Sequence, residues 1–230
     1  MSGSAEIFIQ ALALGIDPLW RRRTDEERYD DGCRFVDALA SGEGDGVRSI
    51  TYSSIGLEPG VDLLFWRVAP SIDALEQAAA KLLRAGLGRW ADVRHSLVGR
   101  IGPSQYVRKP TEQEQSLFDG VRSRYLVVYP FTKSADWYLL SKEARQGVMN
   151  EHMRVGREYP MVRQALAYSF GLDGQDFVVA YETDDLAAFG ELVRALRGTE
   201  SRRSTVADTP ILLGIHRSID EILGLLGAVR

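Results

Sequence analysis

An internal duplication is the feature that most limits how this sequence can fold. Residues 8–20 (FIQALALGIDPLW) align without a gap on residues 125–137 (YLVVYPFTKSADW), and each run is strand-like and apolar and ends at a tryptophan. Residues 47–66 likewise resemble residues 162–181, where two β-rich runs flank a Gly-Leu-acidic turn, the pattern of a β-hairpin. The repetition predicts two copies of one structural unit.

Each half carries the same succession of predicted elements. A capping box, Thr24-Asp25-Glu26-Glu27, follows the first tryptophan, and Ser141-Lys142-Glu143 is a weaker cap after the second. The later helices and the final strands are predicted at 71–85, 184–196, 96–98 and 211–215. The order β-α-β-β-α-β is that of a ferredoxin-like unit. We therefore predict an α+β fold of duplicated ferredoxin-like units within one subunit, a dimeric α+β barrel.

The predicted domain boundaries follow from the repeat. The first unit is expected over 1–100 and the second over 125–230, joined by a connection at 101–124. The connection contains Gly102-Pro103 and a polar TEQEQ stretch, which together predict a loop with a short helix. A connection of this length is either disordered or functional, so it is a candidate wall of a site.

Composition and charge exclude several classes of partner. The 28 basic and 32 acidic residues are well mixed and give a net charge of −4, without the basic stripe that nucleic acid or an anionic membrane requires. The single Cys33 excludes an internal disulfide and is typical of a reducing compartment. No apolar run approaches the ~20 residues of a membrane span, and the N-terminus lacks the layout of a signal peptide. We expect a cytoplasmic protein.

The two copies differ in polarity at three aligned positions, and this difference predicts where a site lies. The second copy has Tyr129, Lys133 and His152 at these positions. The counterparts in the first copy are all apolar: Leu12, Ile16 and Phe35. The repeated fold does not require these polar groups, so we expect a functional site in the second copy.

His152 is the candidate metal ligand. It follows Ala144 and Val148 at four-residue steps, which places it on the predicted buried face of a helix over 142–155. A core histidine bonded to a neighbouring carbonyl would explain the same pattern, although the phenylalanine at the aligned position favours a function. A neutral imidazole on an apolar face is what an axial haem ligand requires.

The other candidates have structural explanations of equal standing when they are considered alone. Tyr129 precedes a proline at a predicted strand end, where tyrosines commonly pack, and Lys133 lies in a predicted turn, where lysines are commonly solvated. Trp137 is present in both copies, which indicates core packing.

The motifs of the second half resemble those of a known family. The run YLVVYPFTKSADWYLLSKEARQGVMNEH, followed by REYP and YSFGLD, is similar to the chlorite dismutase-like family of haem proteins, and most of all to its coproheme-decarboxylating branch. The similarity covers nearly the whole chain, with the first half matching the family's haem-free copy. It implies that the porphyrin binds in the C-terminal unit and that subunits form a homo-oligomer, commonly a pentamer.

The resemblance also implies roles for individual residues. His152 matches the proximal iron ligand, and Tyr129 matches the tyrosine that forms a radical beside a propionate. Lys133 matches a basic residue that pairs with a propionate, and Trp137 lies at the haem edge. Glu200, in RGTES, is at the position of an acid near the proximal histidine.

One departure from the family pattern bears on the reaction. Family members that decompose chlorite have a distal arginine thirteen residues after the proximal histidine, and this position is Ala165 here. An alanine supplies neither hydrogen bonds nor charge to an oxyanion, and Gln164 is expected on the other face of the strand. Together with Tyr129, this favours decarboxylation of coproheme to haem b by hydrogen peroxide, with the porphyrin as both substrate and cofactor.

Two alternatives remain open at the level of sequence. Another haem protein on the same scaffold, such as a weak peroxidase, a haem carrier or a chlorite dismutase-like oxidoreductase, would keep His152 without needing Tyr129. A ferredoxin-like dimeric-barrel protein that holds no haem would need neither residue. Absorbance distinguishes the second alternative from the haem-binding ones, because a Soret band after addition of haem or coproheme would exclude it.

Overall fold

Internal contacts divide the chain into two units. The first comprises Met1–Ile101 with Leu213–Arg230, and the second comprises Gly102–Leu212. The computed structural model describes residues 6–104, 106, 113, 117–118 and 120–228. Of the TEQEQ stretch only Gln113 is among them, so the short helix predicted there lies outside the described residues. Both units mix helices and strands, which agrees with the predicted combination of helix and strand.

The first unit follows the predicted order of elements. Its strands and helices are β1 (Ile7–Ile16), α1 (Asp25–Gly44), β2 (Arg48–Glu58), β3 (Val61–Ala69), α2 (Ile72–Arg84) and β4 (Ala91–Ile101). These strands pair antiparallel in the order β4-β1-β3-β2. The predicted capping box begins α1: the Thr24 hydroxyl accepts from the Glu27 N–H, and the Glu27 carboxylate accepts from the Thr24 N–H.

Apolar side chains fill the core of the first unit. Alternate residues of β1, including Leu12 and Leu14, share one cluster with Phe65 of β3. Phe35 of α1 and Trp20 complete the cluster from the helical side, and both are fully buried. Each such side chain contributes about 1.5–3 kcal/mol by leaving water, so this unit is stabilised without any polar group at these positions.

The second unit repeats the order of strands in the first, and its last strand is short. Its elements are β5 (Tyr125–Lys133), α3 (Ala135–Leu139), α4 (Lys142–Arg157), β6 (Arg163–Tyr168), β7 (Phe177–Thr183), α5 (Leu186–Arg197) and β8 (Thr205–Ala207). The strands pair antiparallel in the order β6-β7-β5-β8. The predicted cap of α4 is present, since the Ser141 hydroxyl accepts from the Ala144 N–H at 3.2 Å.

The last strand forms where it is predicted, but it pairs with the first unit. It is β9 (Leu212–His216), and it runs antiparallel to β2. Gly214 allows the close approach, because a Cβ there would lie 2.7 Å from the Cβ of Tyr52. The final helix, α6 (Ile219–Leu226), adds Ile222 and Leu223 to the apolar cluster around Phe35. The C-terminal residues therefore group with the first unit, whereas the repeat assigned them to the second.

Strand pairing relates the two hairpins with a shift of one residue. Gln10 pairs with Arg67, and its aligned residue Val127 pairs with Tyr181. Tyr181 therefore corresponds to Arg67, and not to Trp66 as the ungapped sequence alignment indicates. The shift arises because equivalent strand pairs enclose one residue fewer in the second hairpin than in the first.

Within the described residues, no helix combines the length and the apolar character needed to cross a bilayer.

Candidate functional site

One face of the sheet in the second unit carries both Tyr129 and Lys133. Alternation along β5 puts these two side chains on the same side of the strand. Tyr129 lies opposite Val179 of β7, and Val179 lies opposite Leu166 of β6, so the pairing of these three strands defines a single surface. We call this surface, defined by Tyr129, Lys133, Val179 and Leu166, the site face.

His152 lies on α4 with an unsatisfied ring nitrogen. Its Nδ1 is buried and has no hydrogen-bond partner among the described residues. The pKa of the imidazole is lowered to about 4, mainly by burial and also by the nearby charge of Lys133, while the charge of Glu151 acts in the opposite direction. The imidazole is therefore neutral near pH 7, which is the form that can bind a metal.

The buried stripe of α4 is narrower than the sequence predicts. Ala144, expected on the same buried face as His152, is exposed, whereas Val148 and His152 are half-buried. Val155 is the one fully buried side chain of this helix. A helix with so little buried surface leaves its His152 side available to a ligand.

Lys133 is an internal cation and not the solvated turn residue that its position suggests. It is 8% exposed, and its Nζ donates to the carbonyl oxygen and the hydroxyl of Ser201 at 2.9 and 3.0 Å. Burial lowers its pKa to about 8, with a further contribution from Arg202. The ammonium also lies 4.6 Å from the centre of the Trp137 ring, a cation–π contact.

Trp137 links the site face to the connection between the two halves. It is buried in α3, and it lowers the pKa of the Tyr106 hydroxyl. Burial raises the pKa of Tyr106, and the positive charge of Arg145 lowers it. Trp137 therefore packs in the core, as its presence in both copies predicts, and also contacts polar groups that the first copy lacks.

Arg145 is a guanidinium without an acidic partner among the described residues. Its Nε is buried and makes no hydrogen bond. Arg145 precedes His152 by seven residues, so the two lie on the same side of α4, about 10.5 Å apart along the helix axis. An unpaired, partly buried cation at this position favours an anionic group nearby.

The strand register places Gln164, and not Ala165, on the site face. Gln164 pairs with Tyr181, which is on the same side of β7 as Val179. Ala165 pairs with Ala180 on the opposite face and is 2% exposed. The thirteen residues that separate His152 from Ala165 include the turn between α4 and β6. The length of that turn decides whether Gln164 or Ala165 lies on the site face.

Glu200 lies beside α4, but its carboxylate has another partner. Its backbone N–H donates to the carboxylate of Glu151 at 3.0 Å, while its own carboxylate is 3.4 Å from Nε of Arg203. The Nδ1 of His152 accepts or donates no hydrogen bond among the described residues. The acid that acts on the imidazole is the sequence neighbour Glu151.

Sequence reasoning missed a residue that ties the connection to the site helix. The side-chain amide of Gln113 donates to three carbonyl oxygens at the end of α4 and in the turn after it: Gly156 at 3.3 Å, Tyr159 at 3.0 Å and Val162 at 2.8 Å. A polar stretch gives no sign of such a contact, because its pattern does not specify a partner. Together with Tyr106, this residue supports the expectation that the connection borders the site.

Comparisons with known proteins identify the class to which this fold and site belong. A family model described as chlorite dismutase matches residues 26–217. Among solved structures, a mutant chlorite dismutase from Candidatus Nitrospira defluvii in complex with cyanide has a TM-score of 0.88 at 28% identity, over 96% of this chain and 95% of that chain. The chain belongs to the chlorite dismutase family, whose members are haem enzymes.

Two curated relatives show the chemistry found in the family. A coproheme decarboxylase of Mycolicibacterium smegmatis is 30% identical over 176 residues, which cover 76% of this chain and 75% of that protein. A chlorite dismutase of Ideonella dechloratans is 29% identical over 147 residues, which cover 60% of this chain and 52% of that protein. The family resemblance predicted from the motifs is confirmed.

Proposed function

We propose that this protein is a coproheme decarboxylase, which converts iron coproporphyrin to haem b with hydrogen peroxide. One observation carries the proposal. The imidazole of His152 is neutral, has a nitrogen without a partner among the described residues, and is close enough to Lys133 for its charge to act on it. Tyr129 lies on the same face of the sheet as Lys133. The second unit thus offers an iron ligand, a cation and a phenol together. The relative from M. smegmatis supports this choice of reaction.

Each decarboxylation is an oxidation of one propionate side chain. The side chain loses a hydrogen and carbon dioxide and becomes a vinyl group, while hydrogen peroxide takes up the two electrons, and protons, and is reduced to water. The bound iron supplies the redox chemistry that activates peroxide. The protein has to bind the iron, hold the carboxylates and bring a reactive phenol to the propionate.

The described side chains divide these tasks among themselves. His152 binds the iron through its neutral ring, and Trp137 lines the edge of the porphyrin. Lys133 and Arg145 supply positive charge to propionate carboxylates, since neither is paired with an acid among the described residues. Tyr129 would give its phenolic hydrogen atom, as a proton and an electron, to the peroxide oxidant and would then take a hydrogen atom from the propionate, which restores the phenol. The carbon radical that remains would lose a second electron to the same oxidant and release carbon dioxide, which leaves the vinyl group.

Gln164 replaces the arginine that the chlorite reaction uses on the distal side. Its amide is on the site face, and an amide lacks the charge with which a guanidinium holds an oxyanion. Ala165 on the opposite face cannot supply that charge either. Both positions therefore favour peroxide over chlorite as the oxidant.

We further propose that the two units are duplicated ferredoxin-like units, with 1–100 free of haem and 125–212 binding it, since residues 213–230 group with the first unit. The observed order of strands and helices supports this description of each copy. Assembly into a homopentamer and a cytoplasmic location belong to the same proposal, and they rest on the family resemblance. Sedimentation of the porphyrin-loaded protein measures the size of the assembly.

Mass analysis of the porphyrin tests the proposed reaction. The purified protein is loaded with iron coproporphyrin and titrated with hydrogen peroxide, and we expect two successive losses of a carboxyl group that end at haem b. Iron coproporphyrin that stays intact while a peroxidase dye is oxidised would contradict the proposal and favour the peroxidase alternative. A protein that shows no Soret band with either porphyrin would exclude both.

A further inference from the structure

A groove in the first unit lies between helix α2 and the sheet. It has a volume of about 360 Å³, which is within the range of small-molecule sites. Gln10 of β1 and Val98 of β4 line it on the sheet side, and these two residues pair with each other across the strands. The helix side is apolar and is formed mainly by Leu75, Ala79, Ala80 and Leu83. The lining thus fits an alkyl chain.

A buried cation lies beside this groove. Arg67 of β3 pairs with Gln10, so the two side chains are neighbours on one face of the sheet. Arg67 is 2% exposed, and it has no acidic partner among the described residues. Its Nε is buried and makes no hydrogen bond there. Burial lowers the pKa of the guanidinium to about 10, so it remains charged at pH 7. An unpaired charge in a core is costly, and a nearby anion would stabilise it.

Two hydrogen bonds connect this cation to the surface of the sheet. A guanidinium only donates hydrogen bonds, so the side-chain oxygen of Gln10 faces Arg67 and accepts from its Nη1 at 2.9 Å. The amide nitrogen of Gln10 therefore faces Ser96, and it donates to the hydroxyl oxygen at 2.9 Å. Each bond polarises the next one, which strengthens the second N–H of Gln10 and the O–H of Ser96 as donors. Because Ser96 is exposed, an anion can reach these donors.

The fold does not require these polar groups. In the second unit the position of Gln10 is held by Val127, and strand pairing places Tyr181 at the position of Arg67. The equivalent sheet therefore forms without the amide and without the guanidinium. Polar groups that occur in one copy only point to a function of that copy, and here that copy is the first unit.

We propose that the groove of the first unit binds a medium-chain alkyl carboxylate, a ligand that the proposed function does not involve. The alkyl chain lies along Leu75 and Leu83. The carboxylate accepts from the amide of Gln10 and the hydroxyl of Ser96, and Arg67 behind them supplies the opposite charge. Two donors and one cation match the two oxygens and the single charge of a carboxylate. Glu76, which also lines the groove, is exposed, so water and salt screen its repulsion of the ligand.

Octanoate is the probe for this site, and octanol is its control because it has the same chain without the charge. Isothermal titration calorimetry of the full chain measures both affinities. We expect octanoate to bind at least about tenfold more tightly than octanol, because only the carboxylate forms charged hydrogen bonds. Equal affinities of the two ligands would overturn recognition of an anion.

Two substitutions locate the binding. Gln10→Leu removes the donor beside Arg67, so octanoate should bind this variant no more tightly than octanol does. Gln77→Leu is the matched control, because Gln77 is an exposed residue of α2 that does not line the groove, and it should leave the affinity unchanged. Ala80→Trp fills the groove from an exposed position and should prevent binding even if Gln10→Leu fails to fold. Unchanged octanoate affinity in Ala80→Trp would overturn the site.

Two further measurements exclude other occupants. Octanoate should bind equally well to protein loaded with iron coproporphyrin, and loss of binding on loading would overturn the proposal by placing octanoate in the porphyrin site. Sedimentation should show the same assembly for the wild-type protein and Ala80→Trp. A smaller assembly in the variant would overturn the proposal, because the groove would then be a contact with a second copy of the chain.

Discussion

The two units build similar sheets and put different side chains on the same positions. In the first unit Leu12 and Phe35 belong to a closed apolar core. In the second unit the aligned positions hold Tyr129 and His152, and the helix that carries His152 has Val155 as its one fully buried side chain. The first unit uses the space between helix and sheet for stability, whereas we propose that the second unit uses it for a ligand.

This difference shows how two similar units can separate a stabilising core from a candidate site. A buried imidazole or ammonium costs free energy that an apolar residue would not, and the first unit avoids that cost at both Ile16 and Phe35. The second unit accepts it at Lys133 and His152, whose pKa values are both lowered by burial. Substitutions that make the second copy resemble the first therefore test the account.

The largest effect is expected from His152→Phe, which installs the residue of the first copy. Loss of the iron ligand should weaken coproheme binding by more than the roughly 10–100-fold that loss of a residue supporting a metal ligand costs. Absorbance titration of the Soret band measures this affinity. His95→Phe is the control, because His95 lies in the first unit and should leave the affinity unchanged; equal loss in both variants would refute the assignment.

The pH dependence of folding should change in the same variant. The folded pKa of His152 is about 4, below the ordinary value of 6.5, so between these values the unfolded chain binds a proton that the folded one does not. Stability should therefore fall as the pH is lowered from about 6.5 to about 4, by up to about 3 kcal/mol from this group. Urea unfolding of the porphyrin-free protein should show this loss, and His152→Phe should lack it.

A smaller loss is expected from Lys133→Ile, again the residue of the first copy. Removal of the ammonium should weaken coproheme binding by about 1.5–3 kcal/mol if it donates a charged hydrogen bond to a propionate. The exposed Lys142 of α4 provides the matched control, Lys142→Ile. Equal affinities of the two variants for coproheme would show that Lys133 serves only its bonds to Ser201.

The smallest effect on binding is expected from Arg145→Leu. Its partly exposed guanidinium should contribute about 1 kcal/mol to binding of the carboxylate-rich coproheme, and less to binding of haem b. The contribution should shrink as salt is raised. Arg154→Leu is the control, because Arg154 is exposed and paired with Glu158. Identical salt dependence in both variants would remove Arg145 from the site.

Much of the fold and part of the site could be predicted because they depend on local pattern. The repeat predicted the order of elements in both copies, and the capping box at Thr24 formed as expected. The helical position of His152 followed from the same reasoning. Patterns of this kind are set by neighbouring residues in the chain, which are visible in the sequence.

The remainder depends on distant partners that a sequence pattern does not specify. The edge to which β9 adds was decided by close packing at Gly214. The second hairpin is one residue shorter than the first between equivalent pairs. This difference decides on which face of the sheet Gln164 lies and with which residue Tyr181 pairs. The burial of Lys133 arose from contacts with Ser201, far along the chain.

The most direct test of the central claim compares the wild-type protein with Tyr129→Phe, each loaded with iron coproporphyrin and given the same dose of hydrogen peroxide. Substitution by phenylalanine keeps the ring and removes the hydroxyl, so coproheme should still bind. Mass spectrometry of the porphyrin should show haem b from the wild-type protein and intact coproheme from the variant. Conversion to haem b at the wild-type rate in Tyr129→Phe would contradict the account.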